Sequence, residues 1–304
     1  MKILFVSSGN SGIGISPIVK NQGESLQRLG VNISYYAIKG RGLKGYLNNI
    51  VPLKEFINKY DFDIIHAHYS LSAIVASLAG AKKIVVSLMG SDVKSRKLNK
   101  LLIKLFNMVY WSKIIVKSDD MKLSLGINDC SIIPNGVDFN RFRPLDQTDC
   151  KKKLKWDLSK KQILFAANPD RREKNFQLAI LAVNHLHDSN CELKVLNKVP
   201  NEQVPLYHNA ANLILLTSLW EGSPNVIKEA MACNIPVVST NVGDVSNVIG
   251  NTEGCYITNF DHENVTGNLR KALDFGKRTT GRDEIQRLDD RIISQHIMQI
   301  YDNI

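Results

Sequence analysis

The sequence predicts an α/β protein built from two doubly wound parallel-sheet domains, and three observations carry that prediction. Its 304 residues are enough for two domains of ordinary size, each able to bury a core. Short apolar runs rich in Val and Ile alternate along the chain with stretches of helical period, the pattern of parallel strands covered by helices on both faces. A polar, Lys-rich break from Arg143-Pro144 through Lys160 interrupts this alternation near its middle and reads as a linker. The expected division is residues 1–150 for the first domain, 151–282 for the second and a helical segment 283–304 at the C-terminus.

In the first domain, strands are expected from Lys2 to Ser7, Val31 to Ala37, Asp63 to Ala67, Lys83 to Leu88, Lys113 to Val116 and Ser131 to Ile133. After the first strand, Ser8-Gly9-Asn10-Ser11-Gly12-Ile13-Gly14 opens a helix, and Gly12 and Gly14 let the backbone come close to a ligand. A dinucleotide fingerprint would need an acid at the end of strand two, yet the chain reads Tyr36-Ala37-Ile38-Lys39-Gly40, which argues against an NAD enzyme. Asp61-Phe62-Asp63 is read as a helix-to-strand turn, and His66-Ala67-His68-Tyr69 closes strand three. The two histidines make a poor metal pair without nearby acids, and a core role suits His66. In the second domain, strands are expected from Ile163 to Ala167, Leu193 to Leu196, Leu213 to Thr217, Pro236 to Thr240 and Cys255 to Ile257. Asp283 to Ile304 reads as one helix whose apolar stripe is Ile285, Leu288, Ile292, Ile293, Ile297 and Ile300.

The segment Glu221-Gly222-Ser223-Pro224-Asn225-Val226-Ile227-Lys228-Glu229-Ala230 places two carboxylates around a helix start that suits an anion. Ser223 is a preferred N-cap and Pro224 suits the first helical position, leaving the amides of Asn225 and Val226 at the positive dipole end. Glu221 lies just before that helix and Glu229 about one and a half turns into it. Asn234 and Pro236 end the helix ahead of a buried strand.

Composition is that of a plain globular chain, and charge is unevenly placed. Net charge is +10, but residues 1–145 carry 20 Lys plus Arg against 9 acids, so the N-terminal half faces something anionic. Lys94, Arg96, Lys97, Lys100, Lys104 and Lys113 interleave with Leu101, Leu102, Leu105, Phe106, Val109, Tyr110 and Trp111. Such a basic amphipathic stretch either lies on an acidic lipid surface or packs its apolar stripe on the sheet. No basic-aromatic module points to nucleic acid. No apolar run approaches the roughly 20 residues of a membrane span, and the N-terminus enters a strand without a signal-peptide plan, so a cytoplasmic location is expected. Five separated cysteines, with no Cys-x-x-Cys pair, read as reduced and structural.

The Glu221 to Ala230 segment resembles the Glu-x7-Glu motif of retaining glycosyltransferase family 4, and Ala230-Met231-Ala232-Cys233 running into Pro236-Val237-Val238 and then Val242-Gly243 extends the match. Ile133-Pro134-Asn135-Gly136-Val137-Asp138 with Phe142, and Lys174-Asn175, keep the family's order over nearly the whole chain. The sequence looks most like the teichuronic-acid-type members that build bacterial surface polysaccharides. The resemblance implies a GT-B fold in which two Rossmann-like domains face a cleft. It implies an acceptor in the first domain, a nucleoside-diphosphate-sugar donor in the second, and a final helix crossing back to the first.

Residue by residue, the family pattern makes Lys174 the cation on the donor diphosphate, with Arg171 or Arg172 beside it. Glu229 would take the ribose hydroxyls and Glu221 the sugar ring, with Gly222, Ser223, Pro224, Asn225 and Val226 forming the donor loop around them and the N–H groups between Ser223 and Val226 holding sugar hydroxyls and phosphate oxygens. His68 would meet the acceptor or the transferred sugar. Met89 stands where many members have a sugar-contacting His, so Asp92 or His68 takes over the polar contact or the contact differs. A Glu is common where Asn247 stands. No Asp-x-Asp loop is evident, so no metal and no other cofactor is expected to be required. The implied activity is retaining transfer to a lipid-linked or growing glycan, peripheral to an anionic membrane surface. The alternatives are a nucleotide-sugar 2-epimerase of the same fold and a non-catalytic sugar-binding partner in a polysaccharide assembly complex.

Overall fold

The computed structural model describes residues 1–10, 14–94 and 97–304. Gly12 and Arg96, both singled out in the sequence, lie outside the described residues. The chain divides into two compact units, residues 1–136 with 290–304, and 137–289.

The first unit alternates strand and helix: β1 Lys2–Ser8, α1 Pro17–Arg28, β2 Asn32–Ile38, α2 Gly42–Leu47, α3 Ile50–Tyr60, β3 Ile64–His68, α4 Ser70–Leu78, β4 Ile84–Ser87, α5 Ser91–Lys94, α6 Lys97–Val109, β5 Trp111–Val116, α7 Asp119–Leu125 and β6 Ser131–Ile132. Its sheet has the order β2-β1-β3-β4-β5-β6, with every strand pair parallel. The order reverses between β1 and β3, and that reversal opens the crevice at their carboxyl ends where doubly wound sheets bind ligands. Strand residues alternate between two covered faces, so β1 buries Ile3, Leu4, Phe5 and Val6 in succession, as a parallel sheet requires. Ser16 caps α1 and Ser118 caps α7 through their hydroxyls.

The second unit holds α8 Gln147–Leu154, β7 Lys161–Phe165, α9 Phe176–Asn184, β8 Cys191–Val195, α10 Val204–Ala210, β9 Leu213–Leu216, α11 Asn225–Ala232, β10 Val237–Thr240, α12 Val245–Ile249, β11 Cys255–Thr258, α13 His262–Phe275 and α14 Gly281–Glu284. Here the sheet order is β11-β10-β9-β7-β8, again parallel, and it reverses between β7 and β9. In the Lys-rich stretch after Pro144, Asp146 caps α8, which packs against α10. All five cysteines are free, and burial pushes the Cys233 thiol up to about 12.

The expected single helix over 283–304 is broken. Ile285 and Asp289 leave helical geometry, and Val137 forms a parallel bridge to Asp289 while its N–H donates to Leu288 O at 2.9 Å. Ile285 and Leu288 are therefore buried in the second unit, and a separate helix, α15 Asp290–Asp302, buries Ile293 and Ile297 in the first. Ser294 hydrogen-bonds Ser25 at 2.8 Å, Arg28 pairs with Asp290 at 2.5 Å, and the Tyr301 hydroxyl lies 2.5 Å from His66 Nδ1. One apolar stripe thus serves two cores, which periodicity by itself does not reveal.

Candidate functional site

In the second unit, the predicted residues gather where the sheet order reverses. After β7 the chain forms one 3₁₀ turn, Arg172–Lys174, and Asn175 adopts φ 50° to start α9. Thr217, just past β9, places its hydroxyl 3.0 Å from the carbonyl oxygens of both Lys174 and Asn175, and Leu219 N–H donates to Glu173 O at 2.8 Å. These bonds fix the Lys174 turn against the end of β9.

Lys174 Nζ then meets Glu221 Oε1 at 2.5 Å, and the Ser218 hydroxyl donates to the same oxygen at 2.7 Å. Both charged side chains are 14% exposed, so the pair is largely withdrawn from water yet open at one side. Arg171 turns to Glu173, its Nε 2.6 Å from Oε1, and Arg172 stands exposed.

The loop before α11 differs by one residue from expectation. Pro224, with φ −71° and ψ 115°, occupies the cap position that the sequence assigns to Ser223, and Asn225 is the first helical residue. The reason is that the Ser223 hydroxyl is engaged elsewhere, bonded to Asp244 Oδ2 at 2.7 Å and to the Lys228 ammonium. Lys228 is fully buried and lies 3.0 Å from Asp244. Burial pushes its pKa down while the Asp244 carboxylate opposes that shift. Gly243 sits against this loop with φ 62°, where an added Cβ would approach Gly222 O to 2.7 Å. The start of α11 therefore has no side-chain cap, a backbone arrangement suited to phosphate oxygens.

Glu229, on α11, lies near a residue that the sequence did not single out. His208 on α10 is fully buried, with Nε2 3.4 Å from Glu229 Oε2. A lone His within Tyr207-His208-Asn209 gives no sequence signal. Lys228 did give one, a charge on the face that also carries Ile227 and Met231.

In the first unit, His68 ends β3 with 2% exposure, and its ring stacks 4.5 Å from that of His66. Burial, then the nearby Lys117 charge, lowers the His68 pKa to about 3. His66 Nε2 contacts the Ser87 hydroxyl at 2.8 Å, and with Tyr301 on its other nitrogen it is a core residue. Asp92 is fully buried, and its carboxylate accepts from the amides of Ser70, Met89 and Gly90 at 3.0 to 3.3 Å. Burial raises its pKa to about 6 against the pull of those amides. Its oxygens thus staple the β3-to-α4 and β4-to-α5 turns, and Met89 is tied to it through the main chain. Gly14 has φ 77°.

Helix α6 carries two apolar stripes, and one of them packs on the sheet as the sequence allowed. Ile103, Leu102 and Phe106 pack into the core, while Leu98 and Leu101 (each 63% exposed), Leu105 (50%) and Met108 (78%) form a second apolar stripe facing solvent. No helix among the described residues is long and apolar enough to cross a membrane.

Comparison with known proteins agrees with this architecture. Residues 10–118 match the family model described as glycosyl transferase 4-like, and residues 189–282 match that of glycosyl transferases group 1. The chain is 31% identical over 216 residues to TuaC of Bacillus subtilis (strain 168), named as a teichuronic acid biosynthesis glycosyltransferase, covering 62% of this chain and 55% of that protein. It is 26% identical over 258 residues to the UDP-Gal:alpha-D-GlcNAc-diphosphoundecaprenol alpha-1,3-galactosyltransferase of Escherichia coli, covering 70% of this chain and 64% of that protein. The matched stretch thus spans less than two thirds of the length of either relative. Among solved structures, sucrose-phosphate synthase from Thermosynechococcus elongatus superposes with a TM-score of 0.85 at 16% identity, over 100% of this chain and 99% of that one. Anabaena HepE in complex with UDP and glucose superposes with a TM-score of 0.76 at 16% identity, over 100% of both chains. The two parallel-sheet units have the GT-B fold.

Proposed function

Because the chain carries a glycosyl transferase 4-like domain and a glycosyl transferases group 1 domain on the GT-B fold, we propose that it is a retaining glycosyltransferase moving a sugar from a nucleoside diphosphate to a lipid-linked or growing glycan. The observation that carries this reading is the Lys174–Glu221 pair at the carboxyl ends of β7 and β9, beside the uncapped start of α11. A donor diphosphate takes the place of Glu221 as partner of the Lys174 ammonium, whose charge then neutralises the leaving group as it develops. The N–H groups of Ser223, Asn225 and Val226 add fixed positive potential, so the chemistry needs no metal ion. Glu221, released toward the sugar, contacts the ring being transferred. Glu229, with His208 Nε2 3.4 Å away, accepts from the ribose hydroxyls. Arg171 and Arg172 sit within the same turn as second cations for the phosphates. For His68, in the first unit, the proposed role is contact with the acceptor or the transferred sugar.

The relatives support the acceptor class. One is named for teichuronic acid biosynthesis and the other for transfer to a sugar on diphosphoundecaprenol, and the exposed apolar stripe of α6 suits a protein that works at a membrane surface. That stripe favours a transferase on a lipid-borne acceptor over an epimerase, which has none. The proposed location is the inner face of the cell membrane, without insertion. The test is melting temperature against UDP-, GDP-, ADP- and CMP-sugars, since a ligand of the folded state alone raises it. An increase with one nucleotide class, lost in Lys174→Ala, is expected. No increase with any of them would overturn the donor assignment.

A further inference from the structure

A pocket of about 240 Å³ opens at the amino ends of the second sheet's strands, the end opposite Lys174 and Glu221. Asn212 and Pro236, which lead into β9 and β10, line it with Gln147 of α8, Leu273 of α13, and Lys277 and Arg278 from the turn after α13. β9 is four residues long, so at about 3.3 Å per residue the pocket lies roughly 13 Å along that strand from Thr217. Among the described residues that line it, two are cations and none is acidic.

Arg278 is half-buried, and one of its five N–H donors is spent inside the fold, from Nη2 to the Asn209 carbonyl at 2.7 Å. The Asp146 charge acts on it, but that carboxylate caps α8 by accepting from the Asp149 N–H at 2.8 Å and forms no ion pair with Arg278. Burial pushes the Arg278 pKa down, because the guanidinium has lost water without gaining a counter-ion in contact. Lys277, its side chain 67% exposed, reaches only the 82% exposed Glu253, at 4.0 Å. Asn212 Oδ1 accepts from the Gln162 N–H at 2.9 Å, which leaves its Nδ2 end as a donor without a partner among the described residues. Gln147 is fixed the other way round: Nε2 donates to the carbonyl oxygens of Ala210 and Ala211 at 3.2 and 2.8 Å, leaving Oε1 as an acceptor.

These groups select a ligand class. Phosphate oxygens accept from Arg278, Lys277 and Asn212, and a hydroxyl on the body that carries the phosphate donates to Gln147 while Pro236 and Leu273 supply apolar wall. A neutral ligand would leave Arg278 without a counter-charge. The volume falls below the roughly 300 Å³ at which pockets for larger ligands begin. We propose that this pocket is a binding site for a small phosphate-bearing molecule, held by Lys277 and Arg278. It is separate from the donor site and does not depend on the transferase reading.

The experiment is isothermal titration calorimetry on the full chain carrying Lys174→Ala, which weakens phosphate binding at the donor site, in chloride at fixed ionic strength. Glucose 6-phosphate, inorganic phosphate and glucose are titrated separately. Saturable binding of a phosphate and none of glucose is expected; tighter binding of glucose 6-phosphate assigns the site to a phosphate ester, and equal binding assigns it to the free ion. Lys277→Gln and Arg278→Gln, each added to that chain, should weaken this binding about tenfold or more, a charged hydrogen bond's worth. Arg278→Gln also frees the Asn209 carbonyl, so folding is checked by melting temperature, and Lys277→Gln, on an exposed side chain, carries the test if the other variant does not fold. No saturable phosphate binding, or binding that keeps its strength in every folded variant, overturns the site. In the chain with Lys174 restored, Lys277→Gln should leave the melting response to nucleotide-sugars in place; its loss would put the phosphate in the donor site and overturn the proposal as well.

Discussion

At the scale of single residues, the proposed function rests on groups whose charge is balanced by one neighbour. Lys174 and Glu221 neutralise each other at 2.5 Å, so Lys174→Ala removes the diphosphate cation and leaves a part-buried carboxylate to repel it. Transfer is expected to fall about 100- to 1000-fold, read as initial rate with the donor that raises the melting temperature. Glu229→Ala should act mainly on donor KM, since the ribose is remote from the reacting bond. Titration offers a second residue-scale prediction. His66 and His68 are both buried neutral, their pKa values lowered by desolvation, with Lys117 and each other nearby. The unfolded chain binds their protons near 6.5 and the folded chain does not, so the stability they contribute is present above that pH and lost as pH falls. Asp92, raised to about 6, works in the opposite sense, contributing stability at low pH that is lost as pH rises through that value. Two histidines against one carboxyl leave a net fall on acidification of about 1.4 kcal/mol per pH unit near pH 5. Urea midpoints between pH 7 and 4.5 check this, and His68→Phe should flatten the fall; an unchanged slope would show that these rings do not govern it.

At the scale of elements, the start of α11 is organised by a buried charge pair and not by a capping side chain. Lys228, Ser223 and Asp244 join α11 to the loop after β10, and that loop fixes Gly222. Lys228→Met strands a buried carboxylate, and a loss of about 3–5 kcal/mol in unfolding free energy is expected, largely recovered when Asp244→Asn is added. Helix α6 carries a different element-scale prediction. One face is core and the other is an exposed apolar stripe with Lys104 beside it. Burying two leucines in a lipid interface contributes about 1.5–3 kcal/mol each, so Leu101→Glu with Leu105→Glu should cut cosedimentation with anionic vesicles at least tenfold while leaving the melting temperature nearly unchanged. Equal sedimentation of the two proteins would remove α6 as the contact.

At the scale of the whole molecule, the last fifteen residues stabilise a unit whose other residues lie more than 150 positions earlier in the chain. Tyr301→Phe should cost about 1 kcal/mol by freeing His66 Nδ1, and removal of residues 290–304 should lower the unfolding midpoint of the first unit while the second keeps its own. Hydrogen exchange resolved by unit distinguishes that result from a single shared transition. The sequence by itself determined the two parallel-sheet units, nearly every strand, and the gathering of Lys174, Glu221 and the loop before α11, because strand periodicity and motif spacing are local properties that the chain carries wherever it folds. Boundaries drifted where register decided them: β8 begins at Cys191 and β5 at Trp111, each set by its neighbour strand. Tertiary structure alone decided that Lys174 bonds Glu221, that His208 lies beside Glu229, that Ser223 serves Lys228 and Asp244, that Asp92 caps two turns, and that Ser7 and His68 share a pocket. Lys174 with Glu221, Asp244 with Lys228, Asp92 with Ser70, and Ser7 with His68 are brought close by strand order, and strand order is a choice among packings that no single segment encodes.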